Sequence, residues 1–350
     1  MKILYVVNHF KFHGGIERML SNKIDAWSEF YQYEVIVVTL NQGNSEIVYP
    51  PKFSFRLIDL EIKNANTKNV KDLILLFRKL NKILKKENPD ILISTLTGIP
   101  SLLLPFINLN IKKYLEIHSS GALSVTKSWK YKWWFLKHYE GVVLLNEDEK
   151  QYYQLENLMV IPNFIPIKND YQPQYTNRQK TIVAAGRIHK DKQYDHLIKI
   201  WEKVFSKFPD WSVEIYGDGD EDLLKQYEQY ISSNKIERIS FKSSTNHLDE
   251  VLKNISLFCL TSRTESFSMV LVECKQYSLP AISYDCPNGP RHVIKNDGIL
   301  VEHNNIDEFA KKLDELINDE NLRKRMADNA YNNRTLFSSS EIIKKWRKLI

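Results

Sequence analysis

At 350 residues, 43% of them hydrophobic, the chain is long enough for two domains of ordinary size, each with its own core. Its net charge of +6 is uneven: residues 1–170 hold 22 Lys/Arg against 17 Asp/Glu, and the rest is nearly neutral. No apolar run approaches the roughly 20 residues of a membrane-spanning helix. The opening MKILYVVN is too short for a signal peptide, and Cys259, Cys274 and Cys286 form no CxxC pair, so a cytoplasmic protein with reduced thiols is expected.

In chain order, short β-branched runs alternate with helical patterns, which predicts parallel sheets covered by helices on both faces. Strands are expected at KILYVVN, 33–40, 55–60, 90–96, 113–119 and 142–146, and the clearest helix at Val70–Lys86, with apolar Leu73, Leu76, Phe77, Leu80 and Leu84. After Ile161-Pro162-Asn163 comes a polar stretch with two prolines, 166–180, read as a linker. The alternation then restarts, with strands at 181–187, 211–217, 239–243, 256–262 and 280–285, and helices over 193–208, 220–233 and from about Ile306. Two doubly wound domains enclosing a cleft are the expected architecture, with ligands at the carboxyl ends of the strands.

Three stretches carry residues suited to chemistry. His13-Gly14-Gly15-Ile16-Glu17-Arg18 follows the first strand and opens a helix, where paired glycines admit a ligand and free N–H groups face an anion. Alone, it reads equally as a tight turn. Gly186 to Lys192 follows the first strand of the second domain, and Arg187 and Lys192 flank a short loop from which both can reach one diphosphate. Solvated surface charge is the plain alternative, and no Walker-type GxxxxGK[ST] occurs. Ser262 to Cys274 runs from a strand into a helix, with Ser266 or Ser268 as the expected N-cap. Glu265 is expected in the loop and Glu273 about two turns along, both facing the strand ends. The free N–H groups of Phe267, Ser268 and Met269 suit a phosphate.

Together with Cys286-Pro287-Asn288-Gly289-Pro290-Arg291, Leu145-Asn146-Glu147, Ile161-Pro162-Asn163 and Ile215-Tyr216-Gly217-Asp218-Gly219, these motifs resemble the retaining glycosyltransferases of family GT4. The order of the motifs matches from residue 3 to about 301. The resemblance implies the GT-B fold: two Rossmann-like domains, 1–165 for the acceptor and 181–335 for the nucleotide sugar, joined by the linker 166–180. A C-terminal helix over 336–350 is expected to return to the first domain. It also implies that Arg187 and Lys192 hold the donor diphosphate, with Gly186 in the same turn. Glu273 would bind ribose and Glu265 a sugar hydroxyl. Gly15 would approach the phosphate, His118 would lie near the sugar, and Phe267, Ser268 and Met269 would offer backbone N–H groups. The nucleotide sugar is then a substrate, with UDP the expected carrier by family habit, and no cofactor or metal is implied. Asp218-Gly219-Asp220 imitates a metal-binding DxD but falls where the family has a Gly-Asp-Gly turn. Ser266 stands where the family commonly has Gly.

Residues 127–138, KSWKYKWWFLKH, set Trp129, Trp133 and Trp134 among lysines that include Lys130 and Lys132. On a helix, Trp129, Trp133 and Leu136 share a side, which is either a docking surface for an anionic membrane at the inner face of the cytoplasmic membrane or an ordinary buried face. A saccharide or lipid-linked acceptor is implied by the resemblance. Rival readings are a sugar-nucleotide epimerase or phosphorylase on the same fold, and a non-catalytic homologue serving as a partner subunit. Nucleic acid is not expected, since the second domain is nearly neutral and carries no recognition motif.

Overall fold

A computed structural model describes residues 1–12, 14–62, 69–107, 110–124, 130–167, 175 and 178–350. The chain forms two compact units, Met1–Pro166 with Ser339–Ile350, and Ile167–Ser338.

The first unit runs β1 (Lys2–Val7), α1 (Gly15–Tyr31), β2 (Glu34–Thr39), β3 (Arg56–Asp59), α2 (Val70–Glu87), β4 (Ile91–Ser94), α3 (Ile99–Leu103), β5 (Lys112–Glu116), α4 (Gly121–Ser124), α5 (Lys130–Leu136), β6 (Gly141–Leu144) and β7 (Leu158–Val160). The second runs β8 (Gln179–Ala185), α6 (Tyr194–Val204), β9 (Ser212–Tyr216), α7 (Glu221–Ser233), β10 (Ile239–Lys242), α8 (Leu248–Asn254), β11 (Ile255–Leu260), α9 (Met269–Gln276), β12 (Ala281–Tyr284), α10 (Pro290–Val293), β13 (Gly298–Val301), α11 (Ile306–Asn318) and α12 (Glu320–Asn333). The last helix, α13 (Ser339–Arg347), belongs to the first unit.

Both sheets are parallel throughout. Their orders are β3-β2-β1-β4-β5-β6-β7 and β10-β9-β8-β11-β12-β13, so in each the winding reverses beside the first strand. Strands covered on both faces must be apolar along their whole length. Ile3 to Val7 and Ile255 to Leu260 are accordingly buried without a break. In the first unit one face packs against α2 through Leu76, Leu80 and Leu84. The other packs against α1 and α13 through Leu20, Ile24, Trp27, Ile342, Ile343 and Trp346. The second unit has one large cluster around Trp201, Trp211, Tyr284 and Phe309.

The predicted strands appear within a residue or a few of their expected ends, but β7 and β13 were not anticipated. Both are short, and their apolar runs, Leu158-Met159-Val160 and Ile299-Leu300-Val301, are only three residues long. The helix expected over 193–208 ends at Val204, and a 3-10 turn, Phe205–Lys207, leads into Phe208-Pro209. The ring of Pro209 disfavours helical geometry at Phe208. Most of the expected linker lies outside the described residues. Among the described residues, no helix is long and apolar enough to cross a membrane.

Trp346 is 1% exposed and anchors α13 against α1. Trp346→Ala is expected to lower the stability of the first unit by about 3–5 kcal/mol, read as an earlier midpoint in guanidinium unfolding. An unchanged midpoint would show that α13 contributes little to that unit.

Candidate active site

In the second unit the chemistry gathers where the winding reverses. β8 and β11 are neighbours, yet the chain leaves their carboxyl ends on opposite courses, so the loops after them open towards each other. Hydrogen bonds lace these loops together. Arg263 N donates to Asp191 O at 2.8 Å, and Thr261 Oγ1 donates to Lys192 O at 3.0 Å. Lys192 lies in a short 3-10 turn, Lys190–Lys192, and its Nζ donates to Glu265 Oε1 at 2.6 Å. Ser262 Oγ donates to the same oxygen at 2.7 Å. Glu265 Oε2 carries no hydrogen bond among the described residues, and the side chain keeps 13% of its surface exposed. One carboxylate oxygen is therefore anchored while the other remains available to a donor group.

Arg187 is exposed and has no ion pair or hydrogen bond among the described residues. The structure thus does not bind Arg187 and Lys192 to one protein group. It leaves a guanidinium beside a loop whose ammonium is already oriented by Glu265. Gly186, with φ +153, makes the turn just before Arg187, and Tyr194 Oη donates to its carbonyl at 2.9 Å. Burial, then the charge of Glu265, pushes the Tyr194 phenol well above its ordinary pKa, so it stays a donor. Sequence reasoning passed over Tyr194, although an aromatic hydroxyl two residues after Lys192 is the signal.

A third loop, after β12, supports Glu265 from below. Glu265 N donates to Pro287 O at 3.3 Å, and Thr264 Oγ1 to the same carbonyl at 3.4 Å. Gly289 is required here: a Cβ on it would stand 2.7 Å from Glu265 Cβ and 2.9 Å from Glu265 O. The Cys-Pro-Asn-Gly-Pro segment is thus the floor of the glutamate loop.

The helix that follows departs from expectation in two ways. Ser268 occupies the N-cap position of α9, but at φ 72 in the left-handed region, and its hydroxyl caps nothing. Its Oγ is buried with no partner among the described residues. Because the helix starts at Met269, Glu273 falls just over one turn along, rather than two. It sits on a helix whose residues Leu271 to Gln276 are all buried, and is itself 4% exposed, so it lies deeper than Glu265. Phe267 is buried, edge-to-face with Phe337 at 5.7 Å between centroids. The first N–H groups of α9, from Met269 on, have no helical acceptor.

Asp220 is spent on local structure: its Oδ1 caps α7 by accepting Leu223 N at 3.0 Å. Asp218 Oδ1 accepts Ser244 N at 3.2 Å.

In the first unit, Gly15 is the first residue of α1, next to the N-cap Gly14. Glu17 in its first turn is buried, 2.8 Å from His9 Nδ1, and burial raises its carboxyl pKa. His118, just past β5, places Nε2 3.0 Å from Glu116 Oε2. The other Glu116 oxygen accepts Lys23 Nζ at 2.6 Å, with Lys23 and Glu116 almost wholly buried. Burial raises the Glu116 pKa, but Lys23 and His118 outweigh it and hold the carboxyl below its ordinary range. Neither Lys23 nor Glu116 was singled out from sequence.

The aromatic-lysine stretch divides. Trp129 and the Lys130 side chain lie outside the described residues. Leu136 is buried and Trp133 half-buried, so that side of α5 faces the core. Lys132 is half-buried as well, and burial lowers its pKa. Trp134 is the outward residue, 54% exposed, with its ring stacked 5.9 Å from Phe106 and Lys137 Nζ 5.7 Å from its centroid.

The chain is similar to known glycosyltransferases in sequence and in fold. Residues 168–333 match the family Glycosyl transferases group 1, and the second unit belongs to it. Over its full length the chain is 28% identical to the amylovoran biosynthesis glycosyltransferase AmsD of Erwinia amylovora, covering 99% of that protein. It is 27% identical to the poly(ribitol-phosphate) alpha-N-acetylglucosaminyltransferase of Staphylococcus aureus, over 77% of this chain and 57% of that one. The fold is GT-B. A mutant of S. aureus TarM, solved with Fondaparinux, alpha-GlcNAc-glycerol and UDP, superposes with a TM-score of 0.82 at 18% identity, covering 99% of both chains. Anabaena HepE in complex with UDP superposes with a TM-score of 0.80 at 17% identity, again over 99% of each.

Gly289→Ala is expected to displace the Glu265 loop, since backbone and Cβ atoms stand in the way rather than a flexible side-chain end. The expected cost is about 1–3 kcal/mol, measured by chemical denaturation. Wild-type stability in this variant would mean that the loop yields freely.

Proposed function

We propose that the chain is a retaining, metal-independent glycosyltransferase, which moves a sugar from a nucleotide diphosphate, UDP before others, to a saccharide or lipid-linked saccharide in bacterial surface polysaccharide synthesis. The observation that carries this reading is the Lys192–Glu265 pair at the reversal of the second sheet, with Glu265 Oε2 unspent among the described residues and Arg187 exposed in the same loop as Lys192. Support comes from AmsD, named for amylovoran biosynthesis, and from HepE, solved with UDP-glucose.

In this reading Arg187 and Lys192 receive the diphosphate, and the unsatisfied N–H groups of Phe267, Ser268 and Met269 face it at the start of α9. As the bond from the sugar C1 to the phosphate oxygen breaks, the electron pair leaves with the diphosphate. These fixed positive groups oppose the growing charge, which is why no metal is assigned. The acceptor oxygen bonds to C1 on the face the diphosphate leaves, and its proton passes to the departing phosphate oxygen. No carboxylate acts as nucleophile, unlike retaining glycosidases. Glu265 Oε2 holds a sugar hydroxyl, Glu273 the ribose, and Gly186 lies against phosphate.

The test is binding and slow hydrolysis across UDP-, GDP- and ADP-sugars without added metal. One donor is expected to bind and release its nucleotide, and Lys192→Ala to lower that rate by about 10²–10³-fold, with Glu273→Ala weakening binding. If no nucleotide sugar binds the wild type, the non-catalytic partner-subunit reading replaces this one.

An anionic membrane surface is the proposed docking partner. Val70, Ile74, Leu75, Phe106 and Trp134 are exposed, and Val70, Ile74, Phe77, Leu103 and Phe106 line an apolar groove of about 560 Å³. Along α2, Lys71, Arg78, Lys82, Lys85 and Lys86 stand exposed around these apolar side chains. Apolar groups flanked by lysines suit the interface of an anionic bilayer. Co-sedimentation with phosphatidylglycerol vesicles, weakened by salt and by Ile74→Glu, is the expected result. Equal retention by phosphatidylcholine, or none by either, would refute it.

A further inference from the structure

The Asp218-Gly219-Asp220 sequence after β9 has no part in the proposed transfer, yet it packs directly on the turn that carries Arg187. Gly186 N donates to Tyr216 O at 2.9 Å, and Gly186 O accepts the Tyr194 hydroxyl of α6 at 2.9 Å. Ile188 N donates to Asp218 O at 2.9 Å, and Ile188 O accepts the Asp220 amide at 3.0 Å. Both residues flanking Arg187 are therefore bonded at nitrogen and at oxygen, and Ile188 is 1% exposed. Arg187 stands between them with its side chain in solvent. The loop after β9 comes this close because two of its residues have no side chain. A Cβ on Gly217 would overlap Gly186 O and stand 2.9 Å from Gly186 C. One on Gly219 would overlap Ile188 O and stand 2.9 Å from Ile188 N. Backbone stands in the way in both cases, so no side chain can swing aside to relieve the overlap.

We propose that Gly217, Gly219 and Tyr194 are positioning residues, which fix the backbone from which Arg187 reaches the donor diphosphate. The proposal rests on the reading of Arg187 as a diphosphate ligand. A guanidinium on a long stem loses rotamer freedom when it grips an anion. Were its backbone loose as well, that ordering would be added to the cost of binding. The loop after β9 on one side and α6 on the other have set the backbone beforehand. A shift of the turn carries the whole side chain with it, and the fork of a guanidinium on phosphate depends on both distance and direction. In this reading Arg187 touches the diphosphate and not the nucleoside, so the clamp matters to the first alone. The two aspartates serve the loop, through Ser244 N and Leu223 N, while the glycines serve the arginine.

The experiment measures binding of UDP, GDP and ADP to the full chain by calorimetry, each beside its own nucleoside. Gly219→Ala is expected to weaken binding of the diphosphate by about 10-fold, the order expected for a slightly misplaced ligand group. Nucleoside binding should stay near its wild-type value. Tyr194→Phe removes one hydrogen bond to Gly186 O and is expected to weaken the diphosphate by about 2- to 10-fold. In an Arg187→Ala background neither substitution should cost anything further, a result that general loosening of the second unit would not give. Equal losses for nucleoside and nucleotide, losses that multiply with Arg187→Ala, or wild-type affinity in both variants would overturn the proposal. Should Gly219→Ala not fold, Tyr194→Phe decides by the same three criteria. Failure of the transferase reading has its own mark: the wild type binds none of the three nucleotides, and this proposal falls with it. Binding by the wild type that both variants keep unchanged overturns this proposal alone.

Discussion

The donor-side candidates depend on one topological constraint, the reversal of winding beside β8. Right-handed crossovers carry the chain from β8 through β9 to β10 on one side and from β11 through β12 to β13 on the other. Loops leaving β8 and β11 are thus the only neighbours at the strand ends that are not separated by their own helices. Lys192 and Glu265 stand 73 residues apart in sequence and 2.6 Å apart in space for this reason. The loop after β12 then supports the second of these loops, and the absence of a side chain at Gly289 sets how closely it can do so.

A second regularity concerns buried charge. In the first unit Lys23 pairs with Glu116, two residues before His118. In the second, Lys275, two residues after Glu273, pairs with Asp297. Asp297 also accepts the Lys295 amide at 2.8 Å and Asn333 Nδ2 at 3.2 Å, so it ties α9 to the loop before β13 and to α12. Breaking either pair by removing one partner would strand the other charge in the core. Such pairs add little net stability, but they hold a strand end or a helix to a single position. In both units that position is next to a candidate functional side chain.

Local structure accounts for several polar residues whose patterns imitate sites. Asp220 of the Asp-Gly-Asp sequence caps a helix, and Asp218 holds the turn that follows β10 through Ser244. Ser268 has the opposite history. It stands where a capping serine belongs, yet its backbone takes φ 72 and its hydroxyl is left buried and unpaired among the described residues. With the cap unmade, the amides at the start of α9 remain available to an anion.

The sequence alone determined the class of fold, since β-branched runs alternating with amphipathic helices leave parallel, doubly wound sheets as the economical solution. It also singled out the loops after β8 and β11, because Arg187, Lys192 and Glu265 follow strands in family order. Its failures were local and physical. β7 and β13 are too short to show a period, and the start of α9 depends on a left-handed backbone at Ser268 that no side chain announces. Only the tertiary structure decided that Lys192 grips Glu265, that Trp134 rather than Trp133 faces outward, and that His118 rests on Glu116 and Lys23. The Lys192–Glu265 and Lys23–Glu116 contacts join side chains distant in sequence. Periodicity reports which face of an element is buried, but not which partner it meets there.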